Sequence, residues 1–367
     1  MVSSRLLPAV FALGVCFPAC SSTPTPNPSG GGSATGGSTG GGGAPSSGAG
    51  GQVTGGSATG GGGAATAGTT SGGAGGTAGG SGGAGGAGGS GGSGGEALGG
   101  MTFWGPGGPK KQWECPAGPF PAQQEGQSTD VCEDFNFDHG YNEGPTWIKS
   151  ENAFFFSNFI QGSNEEGDII KYTLGGSCEK WLDNVGCNGL AVSPSGKLLG
   201  ACHGPRAVVE FDLATKAPRN VATMVNGELL DSPNDLIARS DGNVYFSNTT
   251  YELGNRPEGI GFGLMRIDPM GVTSLIEGGQ LNGIALSPDE TKLHVVQKGT
   301  WTLDAMGNAS NKGQPTPGGD GIAVDCAGGI SNRGTNSAYG GPDGKTLIVV
   351  GGGTNVRTIQ MTVPGLP

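Results

Sequence analysis

The stretch Asp231–Tyr251, DSPNDLIARSDGNVYFSNTTY, opens with short polar residues (Asp231, Ser232, Asn234, Asp235) and runs into the apolar Leu236–Ala238. It turns at Ser240-Asp241-Gly242 and continues as the alternating segment Asn243–Ser247. A turn of that composition between two extended runs predicts a β-hairpin. The pattern then recurs through the chain. Glu143-Gly-Pro opens one copy, Asn188-Gly-Leu-Ala-Val-Ser-Pro-Ser-Gly the next, and Asn234-Asp-Leu-Ile-Ala-Arg-Ser-Asp-Gly the third. Asn282-Gly-Ile-Ala-Leu-Ser-Pro-Asp, Asp320-Gly-Ile-Ala-Val-Asp and Asn336-Ser-Ala-Tyr-Gly-Gly-Pro-Asp-Gly follow.

From 143 through 188 and 234 to 282 the steps are 45, 46 and 48 residues; the step to 320 is 38 and the last, to 336, only 16. A period of roughly 40–50 residues, each unit holding a few short strands, is the signature of a β-propeller blade. Short runs bounded by Gly, Pro, Asn or Asp agree with an all-β chain. They include Ala153–Ser157, Ile169–Tyr172, Lys197–Ala201, Val208–Asp212, Val244–Ser247, Leu264–Ile267, Lys292–Val296 and Thr346–Val350. Six blades are expected, the fifth abbreviated, because Cys326 to Asn336 leaves almost no room for three further strands. Either that blade is truncated or the segment Met101–His139 fills the gap. Equivalent inner-strand positions face one another across a propeller axis, and here they hold Glu, Asn, Asn, Asn, Asp and Asn. The bland explanation, that such residues cap turns, suits any one of them and suits six in phase poorly.

The 367 residues include 80 glycines, so length overstates the folded part. Residues 1–20 read as a secretion signal: Arg5, an apolar run Leu6–Phe17, then Pro-Ala-Cys. That run is too short to span a bilayer. Cys20 resembles the lipidated cysteine of a bacterial lipobox, and Ser21 after it the pattern sent to an outer membrane. An exported, outer-membrane-anchored lipoprotein, periplasmic or at the cell surface, is the expected location. Residues 21–100 are mostly Gly, Ser, Ala and Thr. They hold too few apolar side chains to offset their ordering entropy and are expected to be a disordered tether. Its root-mean-square reach as a Gly-rich coil is roughly 45–50 Å. The folded domain is then 101–367, long enough for one large core. The net charge of −11 and the lack of a basic block argue against nucleic acid. A monomer is expected.

Six cysteines lie in this domain: 115, 132, 178, 187, 202 and 326. An even number in an exported chain suggests disulfides, and six cysteines allow 15 pairings. Proximity favours Cys115–Cys132 and Cys178–Cys187, leaving Cys202 and Cys326. No CxxC pair supports a zinc site.

Together the copies resemble the SMP-30/gluconolactonase family, six-bladed propellers that bind a divalent metal and include calcium-dependent lactonases. Ser232-Pro-Asn-Asp-Leu with Ser240-Asp-Gly-Asn-Val-Tyr-Phe is the most specific match, and the resemblance runs over about Glu143–Met361. It implies metal ligands at Glu143, Asn282 and Asp320, with Asn234 beside the metal and contacting substrate. Independently, carboxylate and amide oxygens are hard ligands suited to Ca²⁺, with Mg²⁺, Mn²⁺ or Zn²⁺ as alternatives. The absence of His and Cys from the ring counts against zinc. A metal-dependent lactonase follows from the resemblance. Its substrate would be a small lactone or a sugar-derived molecule, with Asp320 as general base and Asn234 orienting the substrate. His203 lies in Cys202-His-Gly-Pro-Arg, which resembles the Glu-His-Gly-x-Arg-Arg stretch of bacterial gluconolactonases, and is a further candidate. Asp235 and Asn188 are expected behind the ligands. Ser247-Asn248-Thr249 replaces the family's usual Thr-Asp-Pro, and Val296-Gln297-Lys298 the usual Ala-Asp-Thr. Two alternatives stay open: a non-catalytic propeller with a structural metal, and a phosphotriesterase-like hydrolase on the same platform.

Overall fold

The computed structural model describes residues 101–367 apart from 165–166, 317 and 354. The expected signal, the lipobox-like Cys20 and the Gly/Ser-rich tether lie outside the described residues. Among those residues the chain is all-β, with a single 3-10 turn at Lys149–Glu151.

Five antiparallel sheets of four strands are arranged as propeller blades. The first holds Tyr141–Ile148, Ala153–Phe159, Asp168–Thr173 and Cys178–Leu182. The second holds Cys187–Val192, Leu198–Cys202, Ala207–Phe211 and Pro218–Ala222. The quoted stretch builds the inner half of the third: Ser232–Ala238 pairs with Val244–Thr249, followed by Gly263–Ile267 and Thr273–Gly278. The fourth runs Ile284–Leu286, Lys292–Val295, Gly299–Leu303 and Ala309–Ser310. The last consists of Asn336–Gly340, Thr346–Val350 and Val356–Met361, completed on its outer edge by Glu125–Asp130 from the start of the domain.

Six blades were expected; there are five, and the fifth position holds only the hairpin Ala323–Val324 with Ile330–Ser331. Too few residues separate Asp320 from Asn336 for more. Both ends of the domain dock on this hairpin. Gln123 Nε2 donates to Asp325 Oδ2 (3.2 Å), the Tyr339 hydroxyl (3.0 Å) and the Val363 carbonyl (3.1 Å). The Cys326 amide donates to Pro364 O at 2.7 Å.

The disulfides are Cys115–Cys326, Cys132–Cys178 and Cys187–Cys202. This overturns both proximity pairings, Cys115–Cys132 and Cys178–Cys187. Ring closure is the reason: it brings residues far apart in sequence together, so Cys115 reaches the fifth position and Cys132 the outer strand of the first blade. Only Cys187 and Cys202, opposite one another on adjacent strands, form a local pair.

Blade faces bury both sides of each sheet, which explains runs such as Phe154-Phe155-Phe156. Phe155 packs with Trp181, Leu190, Leu198 and Phe211 between the first and second blades. Phe154 and Phe156 point the other way, to Trp147, Ile348 and Val350 at the closure with the last blade. A segment before Glu125 crosses the face formed by the inner hairpin turns. There the buried Trp104 donates its indole N–H to Gly242 O (2.8 Å), and the Lys110 amide donates to Pro194 O (3.0 Å).

Three inner strands slip register at the residues singled out from the sequence: between Glu143 and Thr146, Cys187 and Leu190, and Pro233 and Leu236. A bulge bends the strand and re-aims a side chain, so Glu143, Asn188 and Asn234 turn toward the axis instead of into a blade face. The glycines that follow several ring residues make the close approach possible. A Cβ on Gly144 would sit 2.3 Å from Gly189 Cα, and one on Gly321 would sit 1.9 Å from Asn336 Cγ.

Candidate active site

At the starts of the inner strands the channel opens into a cavity of about 290 Å³. It is lined by Glu143, Asn188, Asn234, Asn282 and Asp320, joined by Tyr141, Gln161, Gly162, Tyr251 and Glu252. Five of the six in-phase polar residues therefore converge on one space. The sixth, Asn336, lies deeper and hydrogen-bonds the Glu143 and Asp235 carboxyls. Below, only about 40 Å³ remains between Leu236, Ile284, Ile322, Ala338 and Leu366. Asp235, Asn336 and Ser337 share that narrow space.

No Lys, Arg or His is among the lining residues. Burial pushes the Glu143 carboxyl well above the usual range, and the nearby Asp320 charge pushes the same way. Asp320 is also raised by burial, opposed by hydrogen bonds from Tyr141 and Asn282; the Tyr141 hydroxyl lies 3.4 Å from Asp320 Oδ2. Asp235 does not line the cavity. Its buried carboxylate accepts the amides of Leu236 (2.9 Å) and Ile284 (3.0 Å), tying the third blade to the fourth behind Asn234. Burial raises it to about 6.

The structure does not bring His203 to the cavity. The residue is fully buried, its ring 5.1 Å from that of Phe159, and it is not among the cavity-lining side chains. The family departures also fall outside the cavity. Asn248 is buried in the third blade, donating to Gly261 O at 2.6 Å. Lys298 bonds Gly278 O at 2.9 Å.

Sequence reasoning missed Glu252 and Tyr251. Both belong to the loop of residues 250–262, which begins at the last two residues of the quoted stretch and lies outside the repeat. Glu252 accepts hydrogen bonds from Ser232 Oγ (3.0 Å) and the Gly162 amide. Burial outweighs those bonds and moves its carboxyl from 4.5 to about 7. Between those pH values the folded protein keeps a proton that the unfolded chain has released, so Glu252 costs stability as pH rises through the window. In cation-free protein, Glu252→Gln is therefore expected to be isostable with wild type near pH 4.5 and more stable above pH 7. The limiting gain is about 3 kcal/mol. Urea unfolding at pH 5 and pH 8 measures it; an equal difference at both pH values would refute the assignment.

The donor set fits a hard divalent cation. Carboxylates and amides converge without a counter-charge, and Glu143, Asn282, Asp320 and Asn234 offer oxygen atoms of the kind such an ion takes. No group of three or more His, Cys, Asp and Glu side chains placed to hold a metal ion occurs among the described residues; this set depends on its asparagines.

The profile of the SMP-30/gluconolactonase/LRE-like region matches residues 141–333, more than half of the chain. A protein named gluconolactonase from Zymomonas mobilis is 35% identical over 171 residues, covering 42% of this chain and 48% of that protein. The match therefore spans about half the length of that relative. Among solved structures, a putative gluconolactonase superposes with a TM-score of 0.57 at 23% identity, covering 68% of this chain and 96% of its own. A gluconolactonase from Xanthomonas campestris gives 0.54 at 21% identity, covering 68% and 99%. These two likenesses bear on the fold alone; the profile match over residues 141–333 places the chain in the SMP-30/gluconolactonase/LRE-like family.

Proposed function

We propose that this chain is a divalent-cation-dependent hydrolase of small, neutral, hydroxyl-rich lactones. The observation that carries the reading is the oxygen-lined cavity in which Glu143, Asn234, Asn282 and Asp320 meet without a cationic side chain. At about 290 Å³ it is near the small end of ligand pockets, a size suited to a single sugar-derived ring. It has no aliphatic wall for an acyl tail and no cation for a carboxylated substrate.

A bound cation, Ca²⁺ by the hardness of its ligands, would polarise the lactone carbonyl and acidify water. The protein's own groups do the rest. Asp320 takes the proton of the attacking water, with the Tyr141 hydroxyl and the Asn282 amide holding the carboxylate in orientation. The Asn234 amide donates to the carbonyl or a ring hydroxyl. Glu252 and Gln161 line the entrance, where substrate hydroxyls need partners. The ring oxygen leaves as the new hydroxyl, taking the proton that Asp320 collected, and the product is a hydroxy acid.

The full-length chain is assayed on neutral aldonolactones with Ca²⁺, Mg²⁺ or Mn²⁺ and with chelator. Turnover should vanish with chelator and return with cation, and a carboxylate-bearing lactone should be at least ~10-fold poorer in kcat/KM, about 1.4 kcal/mol for one unmatched charge. Stoichiometric cation binding with no turnover of any lactone would make the propeller a binding module. Chelator-insensitive turnover would remove the cation from the mechanism.

A further inference from the structure

The second-blade turn His203-Gly-Pro-Arg206 attracted notice for its histidine, yet that imidazole is packed away from the cavity. What the turn holds is the loop of residues 250–262. This loop joins the second and third strands of the third blade and carries Tyr251 and Glu252 to the cavity.

Three groups of polar contacts fix it. At its start, Ser232 Oγ donates to Glu252 Oε2 at 3.0 Å. In its middle, Arg256 donates back to the second-blade turn, to His203 O at 2.7 Å and Gly204 O at 2.9 Å. At its end lies Asp231, completely buried. Asp231 receives Arg206 Nη2 at 2.8 Å, the Gly261 amide at 2.6 Å and the Gly259 amide. Arg206 directs its other nitrogens to the Leu230 carbonyl and to Pro257 O at 3.0 Å within the loop. Gly259 leaves no slack: a Cβ there would stand 2.1 Å from Leu229 O. Arg206 itself is held at φ 56°, a left-handed conformation that a non-glycine residue keeps only when its surroundings over-determine it.

A buried ion pair is weak evidence of added stability, because desolvation offsets the attraction. Here the pair spans two blades and ends on a loop with no regular secondary structure, so its effect is geometric. We propose that Arg206 and Asp231, assisted by Arg256, are positioning residues that pin the 250–262 loop over the channel and so fix Tyr251 and Glu252 against the substrate. They touch neither cavity nor substrate and act through the loop. The catalytic half of this inference rests on the lactonase reading.

Backbone hydrogen exchange separates the two halves. In the full-length chain, Arg206→Met and Asp231→Asn should speed exchange in residues 250–262 by about 10–100-fold, the mark of a local opening. Strands of the first, fourth and last blades should keep their protection. On a neutral aldonolactone KM should rise at least ~10-fold, as slight misplacement of binding groups does, while Ca²⁺ affinity by calorimetry stays within about threefold. If Arg206→Met fails to fold, Arg256→Met is read in the same way. It loses the loop-to-turn bonds to His203 O and Gly204 O together with bonds inside the loop to Leu253 O (3.1 Å) and Glu252 O (3.2 Å), and leaves the buried Arg206–Asp231 pair intact. Unchanged loop exchange would overturn the proposal. So would faster loop exchange with unaltered KM and kcat, and so would protection lost throughout the propeller in Arg256→Met too. If wild type turns over no lactone, the lactonase reading fails, and the exchange pattern still decides the anchoring.

Discussion

Asp320→Asn is expected to lower kcat on a neutral lactone by at least ~10²-fold at saturating cation, about 2.7 kcal/mol of barrier, and to weaken cation affinity as well. The two effects have different origins. In the proposed ligand role, Asp320 would be one of two carboxylates in the set with Glu143, so its loss would remove half of that set's formal negative charge. In the proposed base role, its removal would delete the group that takes the water's proton, a contribution typically of 10²–10⁴. Asparagine keeps the shape and still accepts a hydrogen bond from Tyr141, which lies 3.4 Å from Oδ2, so misfolding is not the expected outcome. Glu143→Gln is the matched control: it should weaken the cation comparably, yet recover most of its kcat once the ion is saturating. Asn188→Ala, altering the same cavity without touching a carboxylate, should cost less than ~10-fold by the same reasoning. A kcat for Asp320→Asn within about threefold of wild type at saturating cation would move the general base elsewhere, with Glu252 the next carboxylate lining the cavity.

What was legible in the sequence follows from what repeats. Strand positions recur because each blade must bury both faces, and all the strand runs read from the sequence fall on observed strands to within one or two residues. Ring residues recur because each inner strand begins at the same depth, which is why Glu143, Asn188, Asn234, Asn282 and Asp320 were found together. Groups outside the repeat were harder to see. Tyr141 was missed although a period-two signal existed: it stands two residues before Glu143 on one strand and shares its face. Tyr251 and Glu252 arrive on a loop whose length no other blade shares, so no phase points to them. The histidine was overvalued because motif likeness shows which residues recur but not which way they face; His203 packs against Phe159 instead. Disulfide pairing failed for a topological reason. A chain closing into a ring places its first and last segments side by side, and nothing local in Cys115 or Cys326 announces that.

Removing that bridge should be the costliest change to stability outside the core. Cys115–Cys326 spans a sequence separation of 211 residues. A loop of that size corresponds to about 5 kcal/mol of denatured-state entropy in the chain-closure model. The shorter bridge Cys187–Cys202, separated by 15 residues, corresponds to about 3 kcal/mol. Native-state geometry sharpens the contrast. A two-stranded hairpin is marginal on its own, and the one at the fifth position is held by Gln123, the segment around Pro364 and this bridge. The site depends on that hairpin directly. Asp320 stands just ahead of it, its carbonyl accepting the Gly283 amide at 3.3 Å, and the Gly321 amide bonds Thr335 O at 2.7 Å. The double variant Cys115→Ser/Cys326→Ser should therefore melt roughly 10–20 °C below wild type. It should also bind Ca²⁺ more weakly while still folded, because Asp320, a proposed ligand, would then ride on a loosened element. Cys187→Ser/Cys202→Ser should show the smaller thermal loss and near-normal Ca²⁺ affinity, since both sulfurs are buried within a complete blade. Thermal melts and calorimetric Ca²⁺ titration of the two double variants decide it. Equal melting losses with equal affinities would show that the fifth position holds its shape without the bridge, and that Asp320 is fixed by the neighbouring inner strands alone.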